Sequence, residues 1–292
     1  MFSGSLVAIV TPMRPDGAVD LPAWQRLLDF HIANGTSGIV VGGTTGESAT
    51  LREAELRELT ETACRHVKRR IPIIAGAGTS STAVTVERVQ WLSHLPIDGL
   101  LIVTPAYNRP TQEGLYRHFA AAAAATSLPV ILYNIPSRTA VDLLPATVAR
   151  LAQLPGVVGV KEGVAQLSRV RELVSVCPKE FVVLSGDDAT ARESILAGAR
   201  GVVSVTANVA PRVMSQMVAA ALAGDATEAE RLDASLAALH RDLFVEANPI
   251  PVKWALEHMK LIDGAVRLPL TTLSGAHHAR LLEGLRAAGA LS

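Results

Sequence analysis

Short apolar runs separated by polar, glycine-containing segments recur along the whole chain. Eight stand out, at residues 6–10, 38–41, 71–75, 99–103, 130–133, 157–161, 181–185 and 202–205. Their β-branched content and lack of polar alternation predict parallel strands buried on both faces. Helical periodicity fills the gaps. Behind Asp20, the residues Leu21, Trp24, Leu27, Leu28 and Ile32 fall on one helix face, and Asn34-Gly35 closes it. Thr50 with Glu53 reads as a capping box that opens a second helix, and Asp188 opens another that ends near Gly198. Eight strand-helix repeats predict a (β/α)8 TIM barrel over residues 1–224, with a doubly wound open sheet as the rival. After Gly224-Asp225 the strand signal stops. Helical patterns over 226–246, from Pro251, and over 274–288 predict a small C-terminal helical region, residues 225–292. In it Asn248-Pro249-Ile250-Pro251 reads as a rigid loop, with Pro251 suited to a first helical turn.

A barrel collects its functional groups in the loops after the strands. Polar and glycine-rich residues gather there: Gly42-Gly43-Thr44-Thr45-Gly46-Glu47 after the second run, Thr104-Pro105-Ala106-Tyr107-Asn108 after the fourth, Tyr133-Asn134-Ile135-Pro136-Ser137-Arg138 after the fifth, and Ser185-Gly186-Asp187-Asp188 after the seventh. The sixth run, Val157-Val158-Gly159-Val160, ends in Lys161.

Composition narrows the classes. Aromatic residues make up only 4% of a chain that is 49% hydrophobic, so Val, Leu, Ile and Ala must build the core. Basic and acidic residues balance at 27 each, which removes the electrostatic case for a nucleic-acid surface and leaves small molecules or copies of the chain as partners. The two cysteines, Cys64 and Cys177, lie far apart, outside any C-x-x-C, and suit a reducing cytoplasm. The first five residues lack a basic segment and the apolar run that follows stops at Thr11-Pro12, so a first strand is expected there and no signal peptide. No apolar run reaches the roughly 18 residues of a membrane span.

Lys161 is the candidate for the chemistry. A lysine drawn into a low-dielectric site favours the free amine, the form that attacks carbonyls, although a strand-end lysine in solvent is the commoner role. Tyr107 and Tyr133 sit just past strand ends and are candidate proton carriers; Arg138 offers a guanidinium to a carboxylate. The loop 42–47 lacks the Gly-Lys-Ser/Thr of a nucleotide-binding loop, and its amides and hydroxyls suit a carboxylate cradle or a plain tight turn. Gly76-Ala77-Gly78 starts a dinucleotide fingerprint but has Ser81 in place of the third glycine. The eight histidines form no ligand cluster, which argues against a metal.

In this order the motifs Gly43-Thr44-Thr45-Gly46-Glu47, Tyr107-Asn108-Arg109-Pro110, Tyr133 to Thr139, Val160-Lys161-Glu162, Ser185 to Asp188 and Asn248 to Lys253 resemble the pyruvate-dependent class I aldolases, most closely the dihydrodipicolinate synthase branch. The resemblance covers nearly the whole chain. It implies that Lys161 forms a Schiff base with pyruvate, whose enamine attacks L-aspartate 4-semialdehyde, with no cofactor or metal. It implies Tyr133 as general acid and base, Thr44 and Tyr107 as the rest of a proton relay, Thr45 on the pyruvate carboxylate, Arg138 on the semialdehyde carboxylate, and Gly186 and Val203 as pocket lining. It also implies a tight dimer in which Tyr107 reaches the neighbour's site, paired into a tetramer.

Three departures from the family pattern bear on these expectations. Ala106 replaces the usual tyrosine, which touches interface packing, and Gly163-Val164-Ala165-Gln166 replaces the commoner Ala-Thr-Gly-Asp beside strand six. Where lysine-inhibited relatives carry histidines, an asparagine, an acid and a tyrosine, this chain has Glu53, Leu56, Ser80, Val84 and Ala106, so weak or absent feedback by L-lysine is expected. The alternatives are a sibling aldolase, such as N-acetylneuraminate lyase or a 2-keto-3-deoxy sugar acid aldolase; a non-catalytic small-molecule sensor on the same barrel; and a pyridoxal-phosphate enzyme, for which the chain shows no dedicated phosphate cup.

Overall fold

The computed structural model describes residues 2–291. The strands β1 (Gly4–Ala8), β2 (Gly38–Val41), β3 (Ile73–Gly76), β4 (Gly99–Val103), β5 (Val130–Asn134), β6 (Val157–Glu162), β7 (Val182–Ser185) and β8 (Gly201–Ser204) pair in parallel in chain order and close, β8 on β1, into a barrel. The open-sheet rival is thereby excluded. The first helices are α1 (Leu21–Ala33), α2 (Glu53–Val67), α3 (Thr82–Leu92), α4 (Gln112–Ala124), α5 (Pro136–Thr139) and α6 (Pro145–Leu151). Then come α7 (Leu167–Val176), α8 (Ala191–Leu196), α9 (Pro211–Leu222), α10 (Ala226–Asp242), α11 (Ile250–His258) and α12 (His278–Ala287).

Alternation along each strand makes two cores. Inward-facing Leu6, Val40, Ile74, Leu101, Ile131, Leu184 and Val203 fill the barrel, with Phe2 among them, while the outward positions pack against the helix ring. That leaves the barrel interior a packed body, with the strand C-termini and their loops forming its mouth. The C-terminal helices share the outer core through Leu232, Leu236, Leu239, Leu281 and Leu285.

Two cap expectations are corrected. The N-cap of α2 is Arg52, whose backbone N–H donates to the Glu55 carboxylate at 2.8 Å, so Glu53 sits exposed in the first turn and Thr50 Oγ1 donates instead to the Glu47 carbonyl at 3.2 Å. Asp188 does not open α8: its Oδ2 accepts from the backbone N–H groups of Val205 and Thr206 at 2.9 and 2.8 Å, pinning the end of β8. At α2 a different local pairing, three residues apart, replaces the expected one, whereas at Asp188 a tertiary contact does. Asp20 caps α1 as expected, accepting from Ala23 N at 3.0 Å.

Candidate active site

Register places the central pair. Tyr133 on β5 is the lateral neighbour of Lys161 on β6, so both side chains face the barrel axis, and the Lys161 Nζ lies 4.1 Å from the Tyr133 ring centroid. Lys161 is 5% exposed and makes no ion pair with any described carboxylate, which distinguishes it from a surface lysine. One residue further on, alternation turns Asn134 and Glu162 outward. There Asn134 Nδ2 donates to Glu162 Oε1 at 3.0 Å and to Asp142 Oδ1 at 2.8 Å, and Arg169 pairs with Asp142 at 2.6 Å. This knot ties the ends of β5 and β6 together behind the reactive pair. Burial pushes the Glu162 carboxyl up to about 7, against the pull of its hydrogen bonds from Val164 and Asn134 and of nearby Arg169. A Cβ at Gly163 would lie 2.7 Å from the Asn134 carbonyl oxygen, so no alanine can sit in this turn without a shift.

The loop after β2 forms the opposite wall. Its backbone lies so close to β3 that a Cβ at Gly76 would overlap the Gly42 carbonyl. The loop is anchored from the far end of the chain. Asn248 Nδ2 donates to Thr45 Oγ1 at 2.9 Å, Lys253 Nζ pairs with Glu47 at 2.6 Å with both side chains sealed from solvent, and Arg267 N donates to the other Glu47 oxygen at 3.1 Å. Arg138, in the single turn α5 after β5, extends its Nη2 to the Asn248 carbonyl at 3.3 Å.

These walls enclose a cleft of about 60 Å³ lined by Thr44, Thr45, Tyr133, Arg138, Lys161, Gly186, Val205, Phe244 and Asn248, among others. Of the residues singled out from sequence, Thr44, Thr45, Tyr133, Arg138, Lys161 and Gly186 therefore meet. Val203 faces the barrel interior one pleat below the lining Val205. Tyr107 is elsewhere: it is 94% exposed, with φ 73°, in a loop where Arg109 also has positive φ. Asn248 and Phe244 were not singled out. The Asn-Pro-Ile-Pro loop was visible in sequence as rigid, but nothing local marked its asparagine as cavity lining. A wider groove of about 410 Å³ at the other end of the barrel, lined by Val174, Cys177, Lys179, Phe181 and Arg200 among others, contains no comparable cluster among the described residues. Among the described residues no three His, Cys, Asp or Glu side chains converge as metal ligands.

An amine buried at a barrel mouth beside a phenol is placed to attack a ketone, and fold and site together define a Schiff-base-forming lyase on a barrel scaffold. The model of the dihydrodipicolinate synthetase family matches residues 1–288, and the chain belongs to that family. It is 52% identical to the 4-hydroxy-tetrahydrodipicolinate synthase of Methylococcus capsulatus over 291 residues, all of both chains. Among solved structures, the chloride-inhibited dihydrodipicolinate synthase of Acinetobacter baumannii complexed with pyruvate superposes with a TM-score of 0.98 at 47% identity, covering all of both chains. A structure described as the first monomeric dihydrodipicolinate synthase variant gives a TM-score of 0.97 at 40% identity, covering 99% of this chain and 98% of that one. The sibling sugar-acid aldolase reading is not the one these relatives favour.

Proposed function

We propose that this chain condenses pyruvate with L-aspartate 4-semialdehyde to give 4-hydroxy-tetrahydrodipicolinate, the committed step towards lysine and diaminopimelate. The observation that carries the reading is the buried Lys161 amine at 4.1 Å from the Tyr133 ring, in a chain that matches the family along residues 1–288. The Lys161 amine adds to the pyruvate ketone and water leaves, giving an iminium. The iminium draws electrons from the methyl group, which loses a proton and becomes the nucleophilic carbon of an enamine. That carbon bonds to the aldehyde carbon, whose oxygen takes a proton. The amino group of the semialdehyde then replaces Lys161 at the former ketone carbon, closing the ring and freeing the lysine.

In this reading Tyr133 carries the protons, with Thr44 beside it and Tyr107 of a second subunit completing the relay. Thr45 and the loop amides hold the pyruvate carboxylate, Arg138 holds that of the semialdehyde, and Gly186 and Val203 shape the space beneath. Residues 1–224 supply the reacting groups and residues 225–292 brace them. A tight dimer accounts for Tyr107, since a tyrosine 94% exposed on positive-φ backbone is poorly served in one subunit alone. Pairing of dimers into a tetramer follows the same reading. The two free cysteines support a cytoplasmic setting, and among the described residues no helix is long and apolar enough to cross a membrane.

The test is steady-state turnover with both substrates, coupled to dipicolinate reductase and read as loss of NADPH. A rate of at least about 1 per second is expected. A negligible rate from an enzyme whose Lys161 is still trapped by pyruvate and borohydride would move the reading to a different aldehyde. Absence of the trapped adduct would remove Schiff-base chemistry altogether.

A further inference from the structure

Among the described residues, the side-chain oxygen of Asn248 at the mouth has no partner. Asn248 is 7% exposed and lines the same cleft as Lys161 and Arg138. Its backbone carbonyl accepts from Arg138 Nη2 at 3.3 Å and its Nδ2 donates to Thr45 Oγ1 at 2.9 Å, yet its Oδ1 is buried and accepts from no group among the described residues. A buried acceptor left unpaired is costly, and in a ligand cavity the economical partner is the ligand. The residue is held in place. It directly precedes the turn that starts α11, whose Lys253 is locked to Glu47 at 2.6 Å.

Pyruvate offers only acceptor oxygens to its surroundings, so the Asn248 Oδ1 is not made for it. The second substrate carries a donor. In an α-amino acid the amino group sits one carbon from the carboxylate, and Arg138, the group available for that carboxylate, is itself hydrogen-bonded to Asn248. We propose that Asn248 is a specificity-determining residue whose Oδ1 accepts a hydrogen bond from the α-amino group of the aldehyde substrate. This deepens the functional reading above and rests on it. A neutral amide oxygen suits the task better than a carboxylate, because the amino group must shed a proton before it closes the ring, and an ion pair would hold it charged. The same amide gives its N–H to Thr45, so the Thr45 hydroxyl hydrogen remains free to face pyruvate. One side chain thereby registers the two substrates against each other.

The experiment compares L-aspartate 4-semialdehyde with succinate semialdehyde, the same aldehyde without the amino group, in the wild type, Asn248→Ala and Asn248→Asp, with pyruvate consumption as the readout for both. The wild type prefers the amino aldehyde. In Asn248→Ala the ratio of the two kcat/KM values is expected to fall about 10- to 100-fold, the effect of leaving a buried hydrogen bond unmade. Asn248→Asp, which keeps an acceptor at the same place, retains most of the preference with a lower kcat. Borohydride trapping of pyruvate on Lys161 shows that each variant is folded and competent for the first half-reaction. An unchanged ratio in Asn248→Ala, or an equal loss on both aldehydes, would overturn the assignment while leaving the function intact. A wild type that is trapped by pyruvate but does not turn over the amino aldehyde would overturn both.

Discussion

Lys253 and Glu47 lie 206 positions apart in the chain and meet at 2.6 Å, with neither side chain reaching solvent. Burial lowers the Lys253 pKa, and the facing carboxylate opposes that shift. Replacing Lys253 by Met leaves Glu47 a buried charge with only the Arg267 N–H for support. Removing one member of a buried pair costs about 3–5 kcal/mol, and the Lys253→Met enzyme is expected to lose that much in urea unfolding. The double replacement Lys253→Met with Glu47→Leu should recover much of it. A single variant within about 0.5 kcal/mol of wild type, the range of an ordinary surface substitution, would contradict the account.

Glu162 sets a pH dependence whose sign follows from burial. Its carboxyl is raised to about 7, so between the ordinary glutamate value and about 7 the folded chain holds a proton that the unfolded chain has released. The contribution is whole below the ordinary value and is lost as pH rises through the folded one. Relative to Glu162→Gln, wild-type stability should decline between about pH 5 and about pH 8, by a few kcal/mol in order of magnitude. Denaturation midpoints of the two proteins across that range provide the check; parallel profiles would rule the mechanism out.

In the proposed reaction Lys161 takes the pyruvate and Arg138 the semialdehyde. Lys161→Ala should give no borohydride adduct with pyruvate and lower turnover by orders of magnitude, since no other described amine lines the cleft. Arg138→Ala should still form the adduct and lose mainly in kcat/KM for the semialdehyde. Semialdehyde kinetics unchanged in Arg138→Ala would show that its carboxylate is held elsewhere.

Feedback by L-lysine should be weak or absent. Leu56 is 3% exposed with its side chain packed under Gly42, Val84 is an apolar residue 41% exposed, and Ser80 and Ala106 carry no charge, so these positions offer an amino acid no counter-charge. Glu53 provides a single carboxylate, exposed in the first turn of α2 rather than spent as a cap. Initial rates are expected to stay near the uninhibited value at millimolar lysine. Half-inhibition at submillimolar lysine would refute this.

The barrel was legible because eight β-branched runs cannot be buried in many other ways, and each observed strand overlaps the run that predicted it. That Lys161 and Tyr133 share a cleft was legible for a related reason: a polar residue ending an apolar strand has to face either solvent or a cavity. Residues whose role depends on a distant partner were not. Asn134 and Glu162 resemble any strand-end polar pair until the register turns them outward together. Asn248 gains its meaning from Thr45, 203 positions away, and no local pattern encodes that distance. The same limit misplaced Asp188, whose carboxylate is taken by the end of β8, whereas at Thr50 the error was a choice between two local pairings.

The anchoring of the loop 42–47 by Asn248, Lys253 and Arg267 also orders events during synthesis. A ribosome makes Glu47 and Thr45 early and their partners about 200 residues later, a delay on the order of ten seconds or more at typical elongation rates. Until then all eight strands can leave the exit tunnel with Glu47 uncompensated and Thr45 without its amide. A nascent or truncated barrel thus contains Lys161, Tyr133 and the loop 42–47 but lacks the residues that anchor that loop opposite them. Competence for the reaction arrives only with the last stretch of chain.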